Sequence, residues 1–194
     1  MIKKTIALTL TLILAFSLLA VPVYADSDEY TAREGDAVIS SLGSKDISSS
    51  EKVYSNGMVT VTVKVWKISG GKKVTGKLKV KVKQSLADDV KKIFKEIYNG
   101  KEKFPIYAIE GYAARSNPRS EHWKGTAIDI NPTQNAMIWN GKVVAGSFWD
   151  PKKSIYSIKA DGDVVKAFKK YGWYWGGKGW GSKKDYMHFS RHGT

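Results

Sequence analysis

Met58 to Trp66 reads MVTVTVKVW and Lys77 to Lys83 reads KLKVKVK. Both runs alternate apolar with polar residues at period 2, the pattern of a strand with one dry and one wet face. Ser69-Gly70-Gly71 lies between them and supplies turn chemistry. The two runs therefore predict an antiparallel hairpin over 58–84. This hairpin sets the fold class, because the next segment changes period. Leu86, Val90, Ile93, Phe94 and Ile97 fall on one face of a helix. Ser85 is the expected N-cap, Asp88 falls in the first turn, and Gly100 is expected as a left-handed C-terminal residue.

Thr126 to Ile130 (TAIDI) reads as a short strand, with Ile128 and Ile130 on one face and Ala127 and Asp129 on the other. Met137 to Val144 contains Asn140-Gly141 between apolar residues, a strong hairpin signal. Val164, Ala167, Phe168 and Tyr171 share a helical face over 163–171, and Gly172 follows as a stop. Met187 to Ser190 reads as a final strand. Strands and helices mix without regular βα alternation. That favours an α+β fold with an antiparallel sheet and helices packed against it.

The N-terminus carries a different message. Lys3 and Lys4 precede an apolar run, Ile6 to Val21, and Val23-Tyr24-Ala25 offers a cleavage site. The run spans roughly 16 residues, short of the roughly 20 needed to cross a bilayer, so residues 1–25 read as a signal peptide. Residues 26–56 are rich in Ser, Asp, Gly and Glu and read as a flexible lead-in. Residues 57–194 then read as one domain, with its hairpin at 58–84 and a second part at 85–190. The chain has no cysteine, so an exported product must hold together by packing rather than disulfides, with a bound metal as a further option. Lys and Arg number 32 against 18 Asp and Glu, a net charge of +14, and the excess persists without Lys3 and Lys4. For an exported chain, such a field suits anionic cell-wall polymers or membrane surfaces better than nucleic acid. A retained membrane insertion is not expected after cleavage. The expected location is the cell wall, and the expected state is a monomer.

Only three histidines are present, so any imidazole site has few members. His122 and Asp129 are ligand types suited to zinc. Gly125 between them permits the chain to bend and return. Asp129 is anomalous between Ile128 and Ile130, because a carboxylate in a central strand is costly unless paired or metal-bound. A salt-bridged Asp with a surface His is the alternative. In Asp185-Tyr186-Met187-His188 a carboxylate precedes a histidine by three. Positions three apart on a straight strand face opposite ways, so a shared pocket requires a bend before His188. His192 would sit roughly 13 Å from His188 along a strand, too far for one metal. Glu121 competes with Asp185 as a base but adjoins a ligand. Trp173, Trp175 and Trp180 can form a stacking wall for substrate or belong to the core. The hairpin from Met137 and the stretch to Ser157 are candidates for a lid or specificity loop.

Together, the segment Ser120 to Pro132 (SEHWKGTAIDINP), carrying SxHxxGxAxD, and the later DxxH resemble the M15 family of zinc D-alanyl-D-alanine carboxypeptidases, in its VanY-like branch. The run Gly172 to Ser190 adds to the resemblance, which covers roughly Leu86 to Ser190. It implies a hedgehog/DD-peptidase-like fold and one zinc ion per chain, held by His122, Asp129 and His188. It implies Asp185 as the base, Ser120 lining the substrate site, and an upstream arginine polarising the scissile carbonyl. Arg115 is the first choice for that role; Arg119 is the second and a candidate substrate contact. The implied substrates are peptidoglycan stem peptides. The implied reaction is carboxypeptidase removal of terminal D-alanine, with L,D- or D,D-endopeptidase cleavage and a non-catalytic zinc-containing wall-binding module as alternatives.

Overall fold

In the computed structural model, which describes residues 56–179 and 181–193, the alternating runs fold back on each other as expected. Strand β1 (Met58–Ser69) pairs with β2 (Lys72–Lys83) from Met58↔Lys83 to Ser69↔Lys72. Both strands run longer than the alternation alone marked. Gly70 and Gly71 form the turn at φ +54° and +74°, the conformation that a two-residue hairpin loop with native twist demands. Val59, Val61, Val63 and Val65 face inward with Val80 and Val82, while Thr62, Lys64, Lys77 and Lys79 face water. The expected signal peptide and lead-in, apart from Asn56, lie outside the described residues, as does Trp180.

A short 3₁₀ turn at Gln84–Leu86 leads into α1 (Ala87–Asn99). Its buried face, Ala87, Val90, Ile93, Phe94 and Ile97, packs on β1. Both expected caps differ. Ser85 lies within the 3₁₀ turn and makes no cap, and Gly100 is extended at φ −64°, ψ 155° rather than left-handed. The helix start relies instead on Asp88 and Asp89 in its first turn, where carboxylates oppose the helix dipole favourably. Glycine is needed at 100 for space, since a Cβ there would run into the Asp163 carboxylate.

The remaining elements are β3 (Ile109–Glu110), β4 (Ala127–Ile130), β5 (Asn135–Trp139), β6 (Lys142–Trp149), α2 (Asp163–Lys170), β7 (Tyr174–Trp175), β8 (Lys183–Asp185) and β9 (His188–Ser190). The expected α+β class with antiparallel pairing is present. The pairing is divided among three sheets rather than gathered in one: β1-β2, β3-β4-β9-β7 and β6-β5-β8. Asn140 and Gly141 turn the β5–β6 hairpin with positive φ. Gly172, at φ +74°, follows α2 as read from sequence. Among the described residues no helix is long and apolar enough to cross a membrane.

The core joins the first hairpin, both helices and the four-stranded sheet. Phe168 of α2 is its junction. Its ring stacks on Phe189 of β9 at 4.0 Å between centroids and meets Phe94 of α1 and Trp173 edge-on. Removing such a ring costs the transfer energy and leaves a cavity that the surrounding aromatics cannot fill. Phe168→Ala should therefore lower unfolding stability by about 3–5 kcal/mol, read from urea denaturation. A loss under about 1 kcal/mol, the range of a surface change, would show that this junction is not a core element.

Candidate metal centre

Asp129 lies on β4 between β3 and β9, opposite Glu110 on one side and His188 on the other. The β4–β9 register alone thus brings a carboxylate and an imidazole together. His122 arrives from a loop. Gly125, at φ +67°, tightens that loop, and its amide donates to the His122 carbonyl at 3.1 Å. A Cβ on Gly125 would collide with the Met58 sulfur and approach the Lys83 amide. That amide donates to the Gly125 carbonyl at 2.9 Å, so the loop is anchored to the base of the first hairpin.

The three side chains converge. His122 Nε2 lies 3.2 Å from Asp129 Oδ2 and 3.3 Å from His188 Nδ1, and His188 Nδ1 lies 3.0 Å from Asp129 Oδ1. All three residues are buried. A tetrahedral zinc site with arms of 2.0–2.1 Å places its donors about 3.3 Å apart, so these separations match the edges of such a site. His122 also presents the right nitrogen. Its Nδ1 lies 2.7 Å from the Gly111 carbonyl; because a carbonyl only accepts, Nδ1 carries the hydrogen and Nε2 is left as the donor atom. The group can hold a metal ion.

The electrostatics agree with an anion held between two imidazoles. Burial works against charge on Asp129, but the bonds from His122 and His188 outweigh it and hold its carboxyl below the usual range. Burial likewise works against charge on His122. The Asp129 bond and charge prevail and raise its pKa, while Arg115 opposes the rise.

Asp185 closes β8, opposite Met137 of β5. Tyr186 and Met187 then turn, and His188 opens β9 in another sheet. The required bend is therefore a change of sheet. Asp185 Oδ1 is buried and has no hydrogen-bond partner among the described residues. Burial, and next the charge of Asp129, push the carboxyl up to about 6. Asp185 borders the same cavity as the three donors, a space of about 420 Å³ that also reaches Arg115, Arg119, Ser120 and Lys183.

Trp175 does not belong to this cavity. It is buried, its indole N–H donates to the Tyr186 carbonyl at 2.9 Å, and with Trp173 it borders a separate cavity beside Gly172. Of the two readings, core is the one realised for Trp173 and Trp175. Met137 and Ala145 of the β5–β6 hairpin line the candidate site, which puts the suspected specificity loop at its wall. Sequence reading did not mark Lys183 or Asn117 as wall residues, since neither stands in a diagnostic spacing.

Glu121 and His192 pair with each other instead of joining the donor set. Glu121 accepts from Thr126 Oγ1 at 2.6 Å, His192 Nδ1 at 2.6 Å and Lys124 Nζ at 2.9 Å. Its carboxylate is thus committed to structure.

Residues 113–191 match a family model described as D-alanyl-D-alanine carboxypeptidase. No curated protein and no solved structure matches the chain.

The Glu121 clamp has a pH signature. Burial raises its pKa, but the bonds from Thr126, His192 and Lys124 outweigh that and bring it from an ordinary 4.5 to about 2. A carboxyl with a depressed folded pKa stabilises above its unfolded value and loses that contribution as pH falls toward the folded one. The stability gap between the parent and Glu121→Gln should be widest above pH 4.5 and narrow toward pH 2, measured by denaturation of the metal-free proteins. A gap of constant width would mean that the ionised carboxylate contributes nothing.

Proposed function

Residues 113–191 belong to the M15 peptidase family, and from that premise we propose that the protein is an exported zinc peptidase that removes the terminal D-alanine from peptidoglycan stem peptides. The observation that carries the proposal is the convergence of His122, Asp129 and His188 beside a buried, unpartnered Asp185 oxygen. A zinc ion held by those three residues would supply Lewis acidity, lowering the pKa of water and polarising a carbonyl.

The protein's own groups have distinct tasks. Asp129 fixes both imidazoles and keeps the donor set anionic, which favours a dication over a monovalent ion. Asp185 lines the same cavity with its Oδ1 free of hydrogen bonds among the described residues, where it can take a proton from the attacking water and return it to the leaving amine. Its elevated pKa suits both halves of that exchange, because a base must also be able to act as an acid. Arg115 and Arg119 place positive charge on the cavity wall. Arg115 acts electrostatically on His122, so it is the better placed of the two to stabilise a developing oxyanion.

Arg115 and Arg119 stand on the wall next to Ser120, on the segment that leads into His122, while the carboxylates of the lining are Glu121, Asp129 and Asp185. The two arginines suit a substrate ending in a free carboxylate, and this favours carboxypeptidase over endopeptidase action. Ser120 at the same wall would contribute a hydroxyl to substrate binding. Residues 1–25 would export the chain to its substrate.

The test uses muropeptides ending in D-Ala-D-Ala, muropeptides ending in a single D-Ala, and cross-linked dimers, with zinc present and product masses as the readout. Loss of one terminal alanine is expected, and no turnover on any of them despite bound zinc would sink the enzyme reading. Asp185→Ala should retain zinc and lose turnover, whereas His188→Ala should lose both. Loss of zinc from Asp185→Ala would show that these roles are misassigned. Arg115→Ala should cut kcat about 10²–10³-fold if it stabilises the oxyanion; an unchanged kcat with a raised KM would transfer it to substrate binding.

A further inference from the structure

The solvent face of the β1–β2 hairpin carries cations and no anions. The register places Lys64 directly opposite Lys77, Thr62 opposite Lys79, and Thr60 opposite Lys81. Lys73 and Lys83 continue the same face of β2. From Met58 to Lys83 there are eight lysines and no Asp or Glu. Among the described residues, Lys64, Lys77, Lys79 and Lys83 have no carboxylate partner. Like charges directly opposite on a strand pair destabilise it. A face intended only for solubility would be better served by alternating signs, so this arrangement costs stability that a polyanion would restore.

We infer that this lysine ladder is a binding surface for a linear phosphodiester polymer whose charges are separated by short polyol units. Three features select that occupant. Successive lysines on one face of a strand recur about every 7 Å, so a flexible chain with regularly spaced charges can meet them in turn. The face offers no platform for bases. The hairpin's one aromatic, Trp66, is stacked on Tyr98 at 4.9 Å, sits under Lys103, and donates its N–H to the Tyr98 carbonyl. The adjoining Tyr98 and Tyr112 rings are covered by Lys64 and Lys81, so these rings are already engaged and do not offer the stacking that single-stranded nucleic acid uses. The ladder also runs to the candidate metal centre. Lys81 accepts from the Tyr112 amide, the Lys83 amide donates to Gly125, and Gly111 next to Tyr112 orients His122. A polymer lying along β2 would hold the cavity against the wall material that contains it.

The inference extends the reading of the site but does not depend on turnover, so binding is measured with and without zinc. Poly(glycerol phosphate) is titrated against the full chain and against Lys64→Thr/Lys77→Thr/Lys79→Thr. Threonine continues the pattern already set by Thr60 and Thr62. The parent should bind with an affinity that falls steeply with salt. The triple variant should lose at least about tenfold in affinity, and its log–log salt slope should be shallower by about 2, the counterion release of three charges. Its turnover on soluble muropeptides should equal the parent's. An unchanged salt slope in the variant would overturn the inference. So would tighter parental binding to duplex DNA, single-stranded DNA or phosphatidylglycerol vesicles than to the phosphate polymer at equal salt. If the variant aggregates but still binds the polymer as the parent does, the lysines serve as edge protection and the inference also fails.

Discussion

The Asp129 carboxylate has very little contact with water, standing on an interior strand between Ile128 and Ile130. A lone ionised carboxylate there would be prohibitively costly. Its burial therefore requires two imidazoles, and each requirement propagates. His188 must lie opposite on β9, which fixes the β4–β9 register, since a slip of one residue would turn it to the other face. His122 must come over the top, which fixes the Gly125 turn and the bond to Gly111. The architecture near the site follows from satisfying one buried charge. The same three donors form a group that can hold a metal ion.

The first hairpin serves that arrangement. The Lys81 carbonyl and the Lys83 amide hold Tyr112 and Gly125 in place, and both segments flank His122. A close-packed apolar core underneath, running from Val61 through Phe94 to Phe168 and Phe189, keeps the frame from relaxing when the charges repel or a ligand binds. Packing of this density transmits displacement rather than absorbing it. Substitutions at Phe189 would thus be felt at His188, its neighbour on β9.

Elements with strong periodicity were legible in the sequence: both hairpins, both helices and the TAIDI strand. In β1, α1 and α2 the pattern matches burial closely, whereas the second hairpin was marked by Asn140-Gly141, since β6 leaves Val143, Val144 and Phe148 exposed. The donor set was legible because Asp129 violated the pattern of its own strand. Ser85 and Gly100 were misleading because a capping preference is local, while the actual chain entered α1 through a 3₁₀ turn and met Asp163 at its end. Division into three sheets was not legible, since strands of two or three residues, as β3, β7, β8 and β9 are, carry no periodic signal. Trp175 was ambiguous for a related reason: an indole suits a core and a sugar wall equally, and only its neighbours decide.

Those neighbours give Trp175 a purpose. Tyr186 occupies the turn between Asp185 and His188. Its ring stacks on Trp149 at 3.9 Å, its amide donates to the Ala136 carbonyl at 3.3 Å, and its carbonyl accepts from Trp175 Nε1. A turn crossing from one sheet to another has few backbone bonds of its own, so its geometry rests on such side-chain contacts. The position of Asp185 relative to His122, Asp129 and His188 is then set by a clamp of aromatic residues outside the cavity. An Asp185 braced by direct hydrogen bonds would be committed as Glu121 is, with its oxygens occupied. Holding the turn from behind leaves the Asp185 Oδ1 buried without a hydrogen-bond partner among the described residues, and the carboxyl raised to about 6.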